Sequence, residues 1–91
     1  MDWQVFHTRT FLKELARLPQ AVRAEAEKTA FGEEIKSDVF LGGRVQKLTG
    51  YQSYCKIRIG NYRIGLRIDL EEGSIEFQRV LHRKDIYRVF P

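Results

Sequence analysis

Two neighbouring segments in which apolar and polar side chains alternate constrain the fold most strongly. The alternation runs through residues 54–59 and again through residues 62–70, and its period of two is that of a β-strand with one buried face. Between the segments stands Gly60-Asn61, and both residues tolerate the positive φ of a tight hairpin turn. The sequence therefore predicts an antiparallel β-hairpin with one apolar face and one polar face.

The chain before the hairpin predicts two helices. Apolar residues recur at helical spacing from Phe11 to Leu18, threonines before them can cap the first turn, and Pro19 ends the helix. A second helix is expected from Gln20 until Gly32 or the polar stretch that follows it. Because the connection is short, the two helices are expected to form an antiparallel hairpin.

Strands are expected towards both ends of the chain as well. Residues 3–6 make a short β-like opening. Residues 74–81 form a last strand in which Ile75 and Phe77 keep one phase while Val80 keeps the other, as a β-bulge would produce. The predicted order is β-α-α-β-β-β. This is a single α+β domain over residues 1–91, with two N-terminal helices packed on a mainly antiparallel four-stranded sheet.

A length of 91 residues gives room for one core, which excludes two-domain enzymes and dinucleotide-binding folds.

Charge is distributed unevenly along the chain. Residues 44–91 hold ten Lys or Arg against five Asp or Glu, whereas residues 1–43 hold six against seven. The excess positive charge therefore lies in the second half, where a site for an anion is expected.

The sequence also bounds the compartment and the cofactors. It shows no basic leader and no apolar run of membrane-spanning length, so no membrane partner is expected. The single cysteine, Cys55, cannot form an internal disulfide, which is typical of the reducing cytoplasm. His, Cys and carboxylate residues do not stand at metal-ligand spacing, and a glycine-rich phosphate loop is missing. We expect a cytoplasmic protein without metal or cofactor.

The polar face of the predicted hairpin gathers basic side chains. The turn fixes the register so that Lys56 and Arg58 come near Arg63, with Arg67 next along the same face. Arg83 and Lys84 follow at the end of the third strand. Adjacent like charges repel, so this cluster favours a bound anion such as phosphate, and the interleaved tyrosines suit single-stranded RNA. The alternative is that basic residues on an exposed strand only keep the protein dissolved and prevent edge pairing.

Three stretches of the chain combine glycines, basic residues and tyrosines: Lys47-Leu48-Thr49-Gly50, the run YCKIRIGNYRI at 54–64, and Leu81-His82-Arg83-Lys84-Asp85-Ile86-Tyr87. Together they resemble the RelE/ParE family of bacterial toxins. The family pattern is roughly a K-L-x-G loop, a Y-x-I-R-x-G-x-Y-R hairpin and a closing H-R-x-x-x-Y. With the helix before Pro19, the resemblance covers nearly the whole chain in the right order. Arg58 stands where the best-known relative has a lysine, and Gly65 and Leu66 replace bulkier residues.

The resemblance implies the toxin of a type II toxin-antitoxin pair, with a cognate antitoxin as its partner. It implies a small endoribonuclease that enters the ribosomal A site and cuts messenger RNA by metal-free attack of the 2′-OH. The catalytic positions by this resemblance are Lys56, Arg58, Arg63, His82, Arg83 and Tyr87. Further RNA contacts are expected from Lys47, Tyr54, Arg67 and Lys84. Lys56 is the candidate general base, the arginines would hold the phosphate oxygens, and His82 or Tyr87 would donate a proton or stack on a base.

Two other functions stay open at this point. A ParE-like toxin would inhibit gyrase without nuclease activity, and a non-catalytic module would only bind RNA. The gyrase-inhibiting branch shares the fold and much of the C-terminal pattern but generally lacks the full basic set. Because that set is present here, the ribonuclease is the favoured interpretation.

Overall fold

The computed structural model describes residues 3–91. The elements in chain order are β1 (Gln4–His7), α1 (Arg9–Ala16), α2 (Gln20–Phe31), α3 (Glu34–Ser37), a 3-10 turn (Leu41–Gly43), β2 (Val45–Lys47), β3 (Tyr54–Ile59), β4 (Tyr62–Asp69), β5 (Ser74–His82) and α4 (Arg83–Ile86). The predicted α+β class and the predicted order of the main elements are confirmed.

The strands within residues 3–91 form one five-stranded sheet in the order β1-β5-β4-β3-β2. β1 runs parallel to β5, and the other neighbours are antiparallel. The predicted number of four strands is therefore wrong, because β2 was not recognised. β2 has only three residues, too few for an alternation to be visible, and it forms by pairing with β3 through contacts such as Gln46 with Lys56.

The helices begin and end for reasons that the sequence indicated. The side-chain oxygen of Thr8 accepts a hydrogen bond of 3.0 Å from the backbone N–H of Phe11, which caps α1. Pro19 stands immediately before α2, where its missing N–H costs nothing, and Gly32 follows the last residue of that helix. α1 ends at Ala16, before the predicted Leu18. α1 packs mainly on β5.

A β-bulge in β5 reconciles its two apolar phases. Leu66 pairs with Phe77 and Gly65 pairs with Arg79, so Gln78 is the extra residue. The predicted bulge is confirmed, and it allows Phe77 and Val80 both to reach the core between the sheet and the helices.

The side chain of Glu14 on α1 closes this bulge from the helical side. Its carboxylate accepts hydrogen bonds from Nε of Arg79 at 3.1 Å, from Nη2 of Arg79 at 2.6 Å and from the backbone N–H of Val80 at 3.1 Å. The helix and the irregular part of the strand are thereby joined through one ion pair.

Candidate functional site

The β3–β4 hairpin brings the predicted cationic residues onto the sheet face that lies opposite the helices. Cys55, Ile57, Ile64 and Leu66 are buried on the helical side, so the residues between them face the other way. Arg58 lies directly across from Arg63, and Lys56 lies directly across from Gly65. We call this surface the outer face. Directly opposed like charges destabilise a strand pair, so the arrangement of Arg58 and Arg63 favours a bound anion.

The turn of the hairpin fixes the position of Arg63. Gly60 has a φ of +56°, which glycine adopts without strain, and Asn61 does not have a positive φ. Nη1 of Arg63 donates hydrogen bonds to the carbonyl oxygens of Gly60, at 2.8 Å, and of Tyr62, at 2.9 Å. Both bonds use the same nitrogen. The donors on Nε and Nη2 therefore remain for an anion, as far as residues 3–91 are concerned.

The same turn holds Arg83. The backbone N–H of Arg83 donates to the carbonyl oxygen of Asn61 at 2.8 Å, so the start of α4 is tied to the tip of the hairpin. Arg83 and its neighbour Lys84 are exposed at this end of the sheet. The structure thus brings Arg83 to the same end of the sheet as Arg63, although about twenty residues separate them in the chain.

The C-terminal segment, residues 83–91, folds back onto the outer face. Ile86 and Phe90 are its buried residues, four positions apart, and Phe90 is only 4% exposed. The Phe90 ring lies on Gly65: a Cβ at that glycine would stand 2.8 Å from three ring carbons. Tyr87 is half-exposed, and Nζ of Lys56 lies 5.5 Å from the centre of its ring, within reach of a cation–π contact.

Two of the predicted site residues lie away from this cluster. His82 pairs across the strands with Tyr62, whose phase is that of the buried Ile64, so it lies on the helical side of the sheet. The centroids of the His82 and Tyr62 rings lie 5.2 Å apart, with the rings edge to face. Nδ1 of His82 accepts a hydrogen bond of 3.1 Å from the backbone N–H of Lys84, which caps α4. Lys47 pairs with the buried Cys55 and is likewise on the helical side.

The remaining predicted residues lie on the outer face but already have protein contacts. Tyr54 touches the rings of Phe90 and Tyr51 edge to face, with centroid distances of 5.7 and 6.1 Å. Arg67 lies 3.6 Å from a carboxylate oxygen of Asp69, which compensates part of its charge. Arg67 is therefore weaker as an anion ligand than Arg58 or Arg63.

The thiol of Cys55 takes no part in the cluster. It is buried in the core, and that burial raises its pKa above the ordinary value, although the positive charge of Lys47 acts in the opposite direction. A neutral buried thiol is a poor nucleophile, so Cys55 serves as a small core residue.

The described residues contain neither a metal-ligand cluster nor a membrane-spanning helix. Among residues 3–91, no three His, Cys, Asp or Glu side chains group as a metal site would require. Over the same range, none of the helices has the length and hydropathy needed to cross a bilayer.

Comparison with known proteins identifies the family. Residues 5–87 match the family model described as the ParE toxin of the type II toxin-antitoxin system parDE. The chain belongs to the RelE/ParE toxin family. The predicted resemblance is confirmed, and the match includes the hairpin and most of the C-terminal segment.

Curated relatives carry the same assignment. The chain is 37% identical to Toxin RelE3 of Methanocaldococcus jannaschii over 95 residues, which cover 97% of this chain and 99% of the relative. It is 35% identical to Toxin RelG of Mycobacterium tuberculosis over 89 residues, with the same two coverages. Among solved structures, the RelB-RelE antitoxin-toxin complex from Methanococcus jannaschii matches with a TM-score of 0.75 and 37% identity, covering 94% of this chain and 99% of that chain.

Sequence reasoning missed the residues that hold the C-terminal segment on the outer face. Gly65 is the one position in the outward phase of β4 without a side chain, and Ile86 and Phe90 are an apolar pair at helical spacing in a charged tail. The missing side chain at Gly65, taken together with the apolar pair Ile86 and Phe90, is the signal that could have identified this contact.

Proposed function

We propose that this RelE/ParE-family toxin is a ribosome-dependent endoribonuclease that cuts messenger RNA without a metal. The observation that carries the proposal is a set of cations without ion-pair partners: Lys56, Arg58 and Arg63 on the outer face, and Arg83 at the same end of the sheet. In the part of the chain from residue 3 to residue 91, no carboxylate oxygen lies within 4.0 Å of a side-chain nitrogen of Lys56, Arg58, Arg63 or Arg83. In the same range Arg9, Arg17 and Arg44 also lack such a partner. What distinguishes the outer face is that its cations stand together, with Arg58 directly across from Arg63.

The chemistry needs little more than such a cluster, because RNA supplies its own nucleophile. Lys56 acts in its neutral form: the free amine takes the proton of the 2′-OH and becomes an ammonium ion, the 2′-oxygen bonds to phosphorus, and the bond from phosphorus to the 5′-oxygen breaks. Arg58, Arg63 and Arg83 stabilise the negative charge that grows on the non-bridging oxygens. The products are a 2′,3′-cyclic phosphate and a 5′-OH end, the latter completed by a proton.

Tyr87 is better placed than His82 to act on the leaving group or a base. Tyr87 is half-exposed beside Lys56, whereas His82 is on the helical side with Nδ1 bonded to the backbone of Lys84. We therefore assign the proton donor or stacking role to Tyr87, and to His82 the role of capping α4. Tyr54 and Lys84 remain our candidates for contacts to neighbouring nucleotides, and Lys47 would contact RNA only from the other side of the sheet.

The proposal includes the ribosome and an antitoxin as partners. The outer face is shallow, so a short stretch of messenger would need to be presented and oriented by another body, and this is the part we assign to the ribosome. Translating ribosomes also set the cytoplasm as the place of action. The relative from Methanococcus jannaschii was solved as a RelB-RelE complex, which supports a cognate antitoxin for this chain.

Gyrase inhibition is the second candidate, because the matching family model is described by the ParE toxin. The unpaired cations favour the ribonuclease, since a protein that only blocks an enzyme does not need several cations converging on one face. The two candidates predict different products and are separated by one set of assays.

The experiment uses the purified wild-type chain with programmed ribosomes, with naked RNA and with gyrase. We expect cleavage on the ribosome, ends that carry a 2′,3′-cyclic phosphate, and poor cleavage of naked RNA. Arg63→Ala and Arg83→Ala should each lower the cleavage rate by about 100-fold or more, the usual effect of removing one oxyanion ligand. Arg23→Ala, which removes an arginine from α2 on the other side of the sheet, is the matched control. Loss of supercoiling activity by gyrase without any RNA cleavage would overturn the proposal.

A further inference from the structure

The C-terminal segment must hold Tyr87 in place beside Lys56. Tyr87 is half-exposed and reaches Lys56 from a short tail, and a side chain in that situation needs something to hold it in place. The buried residues on either side of it are Ile86 and Phe90. The backbone N–H of Phe90 donates to the carbonyl oxygen of Ile86 at 2.8 Å, so one helical turn closes around Tyr87.

The seat of the Phe90 ring lies next to Lys56. Gly65 is the cross-strand partner of Lys56, and the ring of Phe90 covers Gly65 so closely that a Cβ there would meet three ring carbons at 2.8 Å. The ring of Tyr54, on the same strand as Lys56, touches Phe90 edge to face at 5.7 Å. Glycine weakens the interior of a strand, so its place in the middle of β4 points to a close approach by another group.

We propose that Phe90, seated on Gly65, is a positioning residue that holds Tyr87 over Lys56. This inference rests on the proposed ribonuclease function for its consequence and on the packing for its geometry. The ring does not touch the substrate. It fixes the turn that carries Tyr87, and a displacement of about 1 Å at a catalytic group is enough to cost about 100-fold in rate.

The test is a set of substitutions at the two positions. Gly65→Ala pushes the ring from its seat, and Phe90→Ala removes the ring without changing β4. Phe90→Leu alone leaves a gap above Gly65, because leucine is smaller than phenylalanine. In the double variant Gly65→Ala with Phe90→Leu, the added methyl group at position 65 fills that gap. Val89→Ala is the matched control, because Val89 is exposed and adjacent to Phe90.

Two readouts are measured under conditions in which all variants are folded. The first is hydrogen exchange at the Phe90 backbone amide, which reports whether the turn is closed. The second is single-turnover cleavage of ribosome-bound messenger, measured as a rate at saturation and as a half-saturating concentration. We expect Gly65→Ala and Phe90→Ala to speed exchange and to lower the saturated rate by tenfold or more. The half-saturating concentration should change by less, because Arg58 and Arg63 are untouched.

The double variant distinguishes positioning from general stabilisation. We expect it to cleave faster than Gly65→Ala alone, although Phe90→Leu alone cleaves more slowly than wild type. Unchanged exchange in both Gly65→Ala and Phe90→Ala, or a rate that drops equally in Val89→Ala, would overturn the inference. If Gly65→Ala does not fold, Phe90→Ala against Val89→Ala decides the matter.

The two proposals fail separately. A wild-type chain that does not cleave messenger refutes the ribonuclease, and the exchange measurements alone then decide on the seat of Phe90. In that case faster exchange in Gly65→Ala, reversed in the double variant, supports the inference, and equal exchange in all variants refutes it.

Discussion

The ion pair between Glu14 and Arg79 gives the sharpest prediction about stability. The side chains of these residues are only 14% and 26% exposed, and the carboxylate also accepts the backbone N–H of Val80 in the bulge. Glu14→Ala removes charge-assisted hydrogen bonds and leaves Arg79 and the Val80 amide to find other partners. A hydrogen bond to a charged group contributes about 1.5–3 kcal/mol, and an unsatisfied buried donor costs about 1–3 kcal/mol.

The expected net loss is smaller than the sum of these figures, because Arg79 keeps some access to water and alanine favours a helix. We expect Glu14→Ala to lower the free energy of unfolding by about 2–3 kcal/mol, or the Tm by roughly 10–20 °C for a domain of this size. Glu27→Ala is the control. It breaks an i,i+4 pair with Arg23 on the surface of α2, with both side chains over 40% exposed, and should cost under about 0.5 kcal/mol.

The assay is urea unfolding followed by the fluorescence of Trp3, which packs against the core. The midpoint should fall strongly for Glu14→Ala and hardly at all for Glu27→Ala, with the same m-value in both. Equal midpoints for the two variants would refute the reasoning that the bulge depends on Glu14.

Further predictions concern the thiol, the hairpin turn and the antitoxin. Burial raises the pKa of the Cys55 thiol above 9.0. The stability that the buried neutral thiol contributes is therefore complete below pH 9.0 and is lost as the pH rises through the folded-state pKa. Urea unfolding midpoints measured from pH 8 to 10.5 should fall more in wild type than in Cys55→Ala. Gly60→Ala, at a φ of +56°, should lower the free energy of unfolding by about 1–2 kcal/mol, as measured by thermal unfolding. Association with an acidic antitoxin should slow as salt rises, while the complex, once formed, should persist. Stopped-flow mixing at two salt concentrations measures the association rate, and complete dissociation of the complex at moderate salt would contradict the prediction.

Local patterns in the sequence were sufficient for the elements that depend on local rules. Alternation and the Gly60-Asn61 turn predicted the hairpin and its register, and hence the opposition of Arg58 and Arg63. The phase change after Phe77 predicted the bulge. These features follow from side-chain period and turn chemistry, which act over a few residues.

Features that depend on distant parts of the chain were not accessible in the same way. β2 is three residues long and exists through its pairing with β3, and the parallel pairing of β1 with β5 joins segments about seventy residues apart. The seat of Phe90 requires knowing which tail residue meets Gly65. The side of the sheet taken by Lys47 depends on the unrecognised β2, whereas that of His82 could have been read from its phase with Val80.

The position of β5 in the sheet determines when the sheet can assemble during translation. Among the strands in residues 3–91, β5 is synthesised last, yet it lies between β1 and β4 and pairs with both. β1 leaves the ribosome first and has no strand partner until residues 74–77 follow. Arg83 and Tyr87 come later still, so a nascent chain carries no assembled cationic site while it is being translated. Translation that stops before β5 is expected to leave a harmless fragment in which β1 has no place in the sheet.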